Sequence, residues 1–457
     1  MTGIDEPLGD NDSDGAAVRS WIEANLGPVH AIERQARWRP AWFVDAQIGS
    51  ESVLLYVRGA RPGLSGSARP SEEGQILSVL EQHGIPVPHV YGSIDHPEAV
   101  VMSRLPGRPN LATADDETQR STVLAHYVDV LAQIHAIPPR AFAAVGLSTP
   151  TTTSDLLLWS FERGAKRYAA AKARPEPMLD FAIRWIRRHL PDHDCSSHRF
   201  VLADSAQFMF EGDRITGVID VELAHLGDPS IDLASFRLRD MSEPLGDVGA
   251  ALRQYETITA TPLDRDLIRY CTAAWIVCTP LGLVPAIHAA PPVPELMQYT
   301  EWFHQYSLTT IEAIAECGGV ELAQVVLPEP GPPGDNRLAQ MVSATTRQID
   351  SRGEVDRYRR DAAVAMATYL ARRLAFAAAV DLDNLADATR LLGCRSQTRQ
   401  DLDEELEELV SEDDPARDAD LIRFFHARAM RELLLLEPVP STGSIKRLEP
   451  LDDVIDS

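Results

Sequence analysis

Short apolar runs broken by turns fill the first hundred residues, and long amphipathic stretches fill most of the remaining chain. "AAVRSWIEANLG" (16–27) sets Val18, Ile22 and Leu26 at helical spacing and stops at Gly27. "VHAIERQAR", "AWFVDAQIG" and "SVLLYVRG" then read as strands spaced for hairpins, hence an antiparallel sheet. "SEEGQILSVLEQHG" (71–84) is a helix from a capping serine to Gly84, and "HVYGSID" and "AVVMSRL" return to strand. After Gly107 the period becomes helical, over 117–137, 154–172 and 175–190. Residues 199–220 read as a pair of strands and 230–326 as further helices. "PEPGPPGDN" (328–336) reads as a linker, because Pro cannot continue a helix and Gly loosens the chain. Helices resume over 337–350, 355–380, 383–392, 400–411 and 416–436.

The pattern predicts an α+β protein. A disordered start (1–14) precedes a small sheet-rich lobe (15–105) and a large helical lobe (106–327) whose strands hold the segment 199–234. The linker leads to a small all-α domain (337–440) and a flexible tail (441–457).

The formal net charge of −25 argues against nucleic acid, which needs a basic face. Residues 401–420 hold eleven acids and one arginine, yet Leu402, Leu406 and Leu409 keep an apolar stripe, as on a solvated helix. Five scattered cysteines without a CxxC pair fit free thiols in a reducing cytosol. The acidic first residues read as no signal peptide, and Thr272 to Ile287, with Pro280 and Pro285, as a broken buried helix and not a membrane span. A cytoplasmic protein is expected.

"FVLADSAQFMFEGDRITGVIDVELAHLGDP" (200–229) carries the candidate chemistry. "RFVLAD" ends in Asp204 and "RITGVID" in Asp220, with a turn at "EGD" (211–213) making the two strands neighbours. Two carboxylates at adjacent strand ends suit phosphoryl transfer: one accepts a hydroxyl proton and the other holds Mg²⁺ on a nucleotide phosphate. The alternative is that each acid caps the turn after it. "HLPDHDCSSH" offers His189, His193, Cys195 and His198 as a zinc set, against a plain helix-to-strand loop. His135 reads as a hydrogen-bonded packing residue, and His225 lies close enough to Glu222 in sequence to meet a substrate.

"LAD" (202–204) and "IDVELAHLGDPSIDLA" (219–234), with the order of lobes, resemble the aminoglycoside phosphotransferase family, which has a protein-kinase-like fold, over about residues 16–325. The resemblance implies a two-lobed kinase-like architecture, ATP or GTP with Mg²⁺ as cofactors, and a small-molecule acceptor. It assigns Asp204 as catalytic base and Asp220 as metal ligand, matches Glu222 to the Glu of the family motif as a structural residue near the site, and has Asp228 and Asp232 fix the catalytic loop. It places the strand cation at Arg58, its helix partner at Glu73 (Glu72 as fallback), and the adenine-binding hinge at Met102, Ser103 and Leu105.

The departures are specific. Leu202 and Ala203 replace the His and Gly of the family motif, and Arg58 replaces Lys. The catalytic loop is about two residues short, leaving Gln207 as the second metal ligand in place of Asn. The loop "RWRPAW" (37–42) has no glycine, so Arg37 and Arg39 would reach phosphates by side chain or stay exposed. "ELAHLGDP" is closest to the branch associated with acyl-CoA dehydrogenases, which implies hydroxyacyl-CoA as an acceptor and a partner in acyl-CoA metabolism; the helices after the linker resemble a small companion protein of such kinases. Three functions are consistent with these features: a phosphotransferase acting on a small-molecule hydroxyl, a pseudokinase that binds without chemistry, and an aminoglycoside kinase.

Overall fold

The computed structural model describes residues 13–35, 39–60, 68–293, 295–330, 336–351, 354–393, 398–437, 439 and 445–456. Arg37, most of the disordered start, the centre of the linker and residues 441–444 of the expected tail lie outside them. The chain divides into two compact units.

The first unit comprises Met1–Pro150, Ser196–Asp232 and Glu243–Thr261. Its five-stranded sheet is built from β1 (Val29–Arg34), β2 (Ala41–Ile48), β3 (Glu51–Gly59), β4 (Val90–Asp95) and β5 (Glu98–Ser103). The order is β1-β2-β3-β5-β4, antiparallel at each pair. Alternate residues of β2 (Trp42, Val44, Ala46) face a core shared with Leu55, Val57 and Val101 and closed by Val18 and Ile22 of the Ser13–Asn25 helix. This is the period-2 burial that the apolar alternation dictates. In register, Arg58 stands opposite Ala41 on one side and Val100 on the other.

Four short strands complete the unit: β6 (Arg199–Val201), β7 (Phe208–Glu211), β8 (Arg214–Val218) and β9 (His225–Gly227). Here the pairing differs from the expected one. β6 pairs with β9, and β7, not β6, pairs with β8 across the "EGD" turn. Left-handed Ala203 (φ 65°) and Ala206 (φ 62°) turn the chain between Val201 and Phe208, so the next extended segment meets "RITGV".

The second unit comprises Thr151–Cys195, Leu233–Ser242 and Pro262–Ser457 and is helical. The division therefore does not fall at 328–336. Met297 and Leu308, before the linker, share a core with Ala365, Met430, Leu433 and Leu436 after it. Phe181 packs on Phe425 with ring centroids 5.6 Å apart, and Arg188 pairs with Asp418 at 2.5 Å. The helices beyond the linker complete a common core in place of building their own. Two smaller differences arise from local chemistry. One helix, Glu354–Leu392, runs through the expected break near 381, where "VDLD" has neither Gly nor Pro. The expected loose tail instead forms a helix, Leu451–Asp456, which buries Leu451 and Ile455 and pairs Asp456 with Arg265 at 2.6 Å. The apolar 265–287 region is two helices, Arg265–Ile276 and Cys278–Ile287, with Pro285 inside the second.

Gly107 closes the first unit at its tightest point. Its φ is 91°, and a Cβ there would lie 2.0 Å from the carbonyl oxygen of Phe210. Next to it, Arg108 and Phe210 exchange two main-chain hydrogen bonds of 3.0 Å. Gly107→Ala is expected to destabilise this unit by roughly 2–3 kcal/mol through strain and clash, read as a lower urea midpoint. An unchanged midpoint would show that the Phe210 main chain yields without cost.

Candidate active site

The loop between β6 and β7 is almost entirely buried. Across residues 200–208 only Asp204 and Gln207 reach solvent. Its main chain is held from several sides. Asp232, fully buried in the first turn of the Ser230–Ser242 helix, accepts from the N–H groups of Leu202 (2.9 Å) and Ala203 (2.6 Å). Ser205 Oγ donates to the Asp232 carbonyl at 2.7 Å, Ala206 N–H donates to Tyr127 Oη at 2.5 Å, and Ile219 N–H donates to the Gln207 carbonyl at 3.0 Å. His135 bonds Asp232 Oδ2 through Nε2 (2.9 Å) and Tyr255 through Nδ1 (2.6 Å), so it is the packing residue its apolar setting suggested. Asp228 has a local task, accepting from Ser230 N–H at 2.8 Å. On this loop Gln207 Nε2 donates to Asp204 Oδ2 at 2.7 Å.

Two residues beyond β8, Asp220 takes a left-handed turn (φ 61°), which a short polar side chain tolerates. Its carboxylate pairs with Arg58 of β3, and Arg58 also pairs with Glu73 of the Pro70–Gln82 helix and with Glu222 (3.3 Å). Arg39 is the residue that sequence reasoning placed wrongly. It is neither exposed nor turned toward a ligand: it is 1% exposed, donating from Nε to the Gly59 carbonyl (2.7 Å) and from Nη1 to Glu222 (2.5 Å). Charge counting carried the missing signal, because three acids around Arg58 alone would leave two buried negative charges.

Two arginines against three carboxylates still leave the cluster one negative charge in excess. Glu73 absorbs it. Burial pushes its carboxyl up to about 7, against the pull of Arg58, and its Oε2 makes no hydrogen bond, with Arg39 Nη2 3.9 Å away. Burial alone would lower Arg58, but Asp220, Glu73 and Glu222 hold it above its ordinary value; burial and the neighbouring Arg58 lower Arg39.

The expected hinge is partly committed to the protein itself. Met102 is buried in β5, Ser103 N–H donates to the His89 carbonyl (2.8 Å), and Arg104 N–H donates to the Leu54 carbonyl (2.9 Å). Leu105 packs where Gly217 of β8 has no side chain; a Cβ there would lie 2.6 Å from it. His225 lies buried in β9 and bonds the Leu223 carbonyl at 3.0 Å. Of the suggested zinc set, His189 stacks on Trp185 and bonds its carbonyl. Among the described residues no group of three or more His, Cys, Asp or Glu side chains is arranged to hold a metal ion. Asp220 and Gln207 do offer the hard oxygen donors that Mg²⁺ takes from a protein when phosphates supply the rest, so the donor chemistry fits, with Arg58 already on the Asp220 carboxylate.

A family model described as phosphotransferase enzyme family matches residues 44–276. Acyl-CoA dehydrogenase family member 11 of Rattus norvegicus is 26% identical over 257 residues, covering 52% of this chain and 32% of the relative. Acyl-CoA dehydrogenase family member 10 of Mus musculus is 26% identical over 222 residues, covering 46% and 20%. The chain thus spans about a third or less of these relatives. Among solved structures, a Ralstonia eutropha protein assigned as an aminoglycoside phosphotransferase aligns with a TM-score of 0.50 and 17% identity over 66% of this chain and 98% of that one. This likeness is one of fold, and the fold is the kinase-like one expected.

Two expected outcomes rest on the site's physics. Asp232→Asn keeps the shape but gives one acceptor oxygen where two were used, and turns an N–H₂ toward a main-chain N–H. A loss of about 3 kcal/mol is expected, with faster amide exchange at 202–206; unchanged exchange there would refute the pinning role. Glu73 carries the pH dependence. Between about pH 4.5 and 7 the folded protein keeps a proton that the unfolded chain has lost, so stability falls as pH rises through that window. Glu73→Gln should remove this decline, on the order of 3 kcal/mol relative to the wild type. Parallel stability curves from pH 4 to 8 would mean that Glu73 is ionised throughout.

Proposed function

We propose, because this chain belongs to the phosphotransferase enzyme family, that it moves the terminal phosphoryl group of ATP or GTP to a hydroxyl of a small molecule. The observation that carries the reading is the exposure pattern of the pinned loop, where Asp204 and Gln207 alone meet solvent. A folded core has no need of a partly exposed acid between two left-handed residues, and such strain concentrates at functional sites. Asp204 serves as the base: it accepts the proton of the acceptor hydroxyl while the oxygen attacks phosphorus and the nucleoside diphosphate leaves. Gln207 fixes the direction of that carboxylate through Oδ2. Asp220 and Gln207 would hold Mg²⁺, which when bound spreads the charge of the transferring phosphoryl group. Arg58 and Arg39 hold Asp220, Glu222 and Glu73 in fixed places behind the loop, so Asp220 needs no reorganisation to present its carboxylate. A hydroxyacyl-CoA acceptor is supported by the names of the relatives, which are acyl-CoA dehydrogenase family members.

One observation favours a second reading, a kinase-like module that binds without chemistry. Both terminal nitrogens of Arg58 are taken by carboxylates, whereas a phosphate-gripping cation needs donors to offer.

The two readings part on one pair of variants. In an enzyme, Asp204→Asn should cut turnover by roughly two to four orders of magnitude and leave nucleotide affinity nearly unchanged. Asp220→Asn should instead weaken Mg²⁺-dependent nucleotide binding, since a hard cation loses an anionic ligand. Equilibrium binding of labelled ATP and phosphoryl transfer to hydroxyacyl-CoA esters and aminoglycosides are the measurements. Wild-type protein that binds no Mg²⁺–nucleotide at millimolar concentration would sink the phosphotransferase reading, and binding without transfer would support the second.

A further inference from the structure

A cavity of about 980 Å³ opens within the second unit, and none of its lining residues belongs to the candidate active site. That volume is at the upper end of what small-molecule sites enclose. Its walls come from the helices Trp159–Ala171, Pro177–Arg188 and Arg399–Ser411, the last from beyond the linker. Tyr168, Ile183 and Val410 are its buried apolar lining.

Five cations line the cavity against three carboxylates, although the chain as a whole has 68 acids to 43 cations. The three carboxylates are all engaged. Lys172 bonds both Asp180 (2.6 Å) and Glu407, and Arg188 pairs with Asp413 and, beyond the lining, with Asp418 (2.5 Å). Arg187 is held by both oxygens of Glu162, at 2.9 and 2.6 Å. Lys166 and Arg184 remain, and among the described residues neither makes an ion pair or a hydrogen bond.

A shortage of acids does not explain this. Each of the two cations has a carboxylate four residues earlier on its own helix, the favoured order for an ion pair: Glu162 for Lys166 and Asp180 for Arg184. Both acids are turned to another cation, Glu162 to Arg187 and Asp180 to Lys172, with Tyr168 Oη also donating to Asp180 at 3.0 Å. Arg184 is only partly exposed and shares its helix face with Arg187 and Arg188, three and four residues on, so like charges surround it as well. Two cations on two walls of one cavity are thus kept supplied with donors and denied acceptors.

From this we infer that the cavity is a binding site for a small organic phosphate, with its phosphate on Lys166 and Arg184 and its apolar body against Tyr168, Ile183 and Val410. A phosphate suits the pair better than a carboxylate. It has oxygens enough for the guanidinium fork to take two and the ammonium a third. The apolar lining favours an ester over the free anion, because an apolar body leaves water when it covers that lining. The inference is independent of the chemistry at Asp204.

Calorimetric titration of the full chain with naphthyl phosphate tests this, in EDTA to silence Mg²⁺-dependent nucleotide binding. One molecule per chain is expected to bind with Kd below about 1 mM. Lys166→Ala and Arg184→Ala should each weaken it roughly ten- to a hundredfold, the loss of a charge-assisted hydrogen bond. Far-ultraviolet dichroism should stay unchanged, since alanine is the best helix former. Should Arg184→Ala misfold, the exposed Lys166 decides: Lys166→Glu is expected to abolish binding. Inorganic phosphate and naphthol, each lacking half of the ligand, should bind more weakly than the ester. Naphthyl phosphate that fails to bind at millimolar concentration, binding that the Lys166 variants leave unchanged, or inorganic phosphate that binds as tightly as its ester would each overturn the proposal.

Discussion

A carboxylate with no access to water, Asp232, holds the candidate site in shape. Its two oxygens accept from Leu202 and Ala203 N–H and from His135, and its own carbonyl accepts from Ser205. Without it, two main-chain N–H groups would be buried with no acceptor, next to a residue already in a left-handed conformation that costs about 1–2 kcal/mol. The surrounding polar groups are arranged to match. His135 must bond the carboxylate, Tyr255 must bond His135, and Tyr127 must take the next amide at Ala206. The loop can then hold Asp204 at its rim because everything beneath it is already satisfied.

Much of this was legible in the residues. The alternation of β2, the turn at "EGD" and the place of Asp220 just past β8 come from local pattern, and the resemblance carried in "LGDPSIDLA" pointed to Asp232 as a loop-fixing acid, whereas Asp204 stands in a loop three residues beyond β6 and not at a strand end. The illegible part depended on long-range partners. Nothing in "RITGV" says whether it pairs with "RFV" or "FMFE"; the left-handed alanines decide, and alanine is not a residue that advertises that conformation. The second unit was hidden for a similar reason. Pro and Gly at 328–336 mark a chain that cannot be helical there, but not a chain whose two sides fail to share a core, and Met297 with Leu433 shows that they do share one.

Two residues that set this chain apart from the family motif, Arg58 and Arg39, meet in one ion-pair cluster. A lysine ammonium at position 58 would offer a single point charge, whereas the guanidinium fork reaches Glu73 with one nitrogen and Asp220 and Glu222 with the other. Gathering three carboxylates requires a second cation, and Arg39 supplies it from the loop that lacks glycine. Arg39 is held there by Gly59 and Glu222, and a loop without glycine loses less conformational entropy when that side chain is fixed. The cluster remains one positive charge short, and the deficit falls on Glu73, whose Oε2 has no hydrogen bond. A divalent cation at Asp220 would more than cover that deficit, and a proton on Glu73 covers it without one. The replacement of Lys by Arg is thus compatible with both readings of the site, since it changes how the cluster is neutralised in the absence of nucleotide and leaves Asp204, outside the cluster, with its own partner in Gln207.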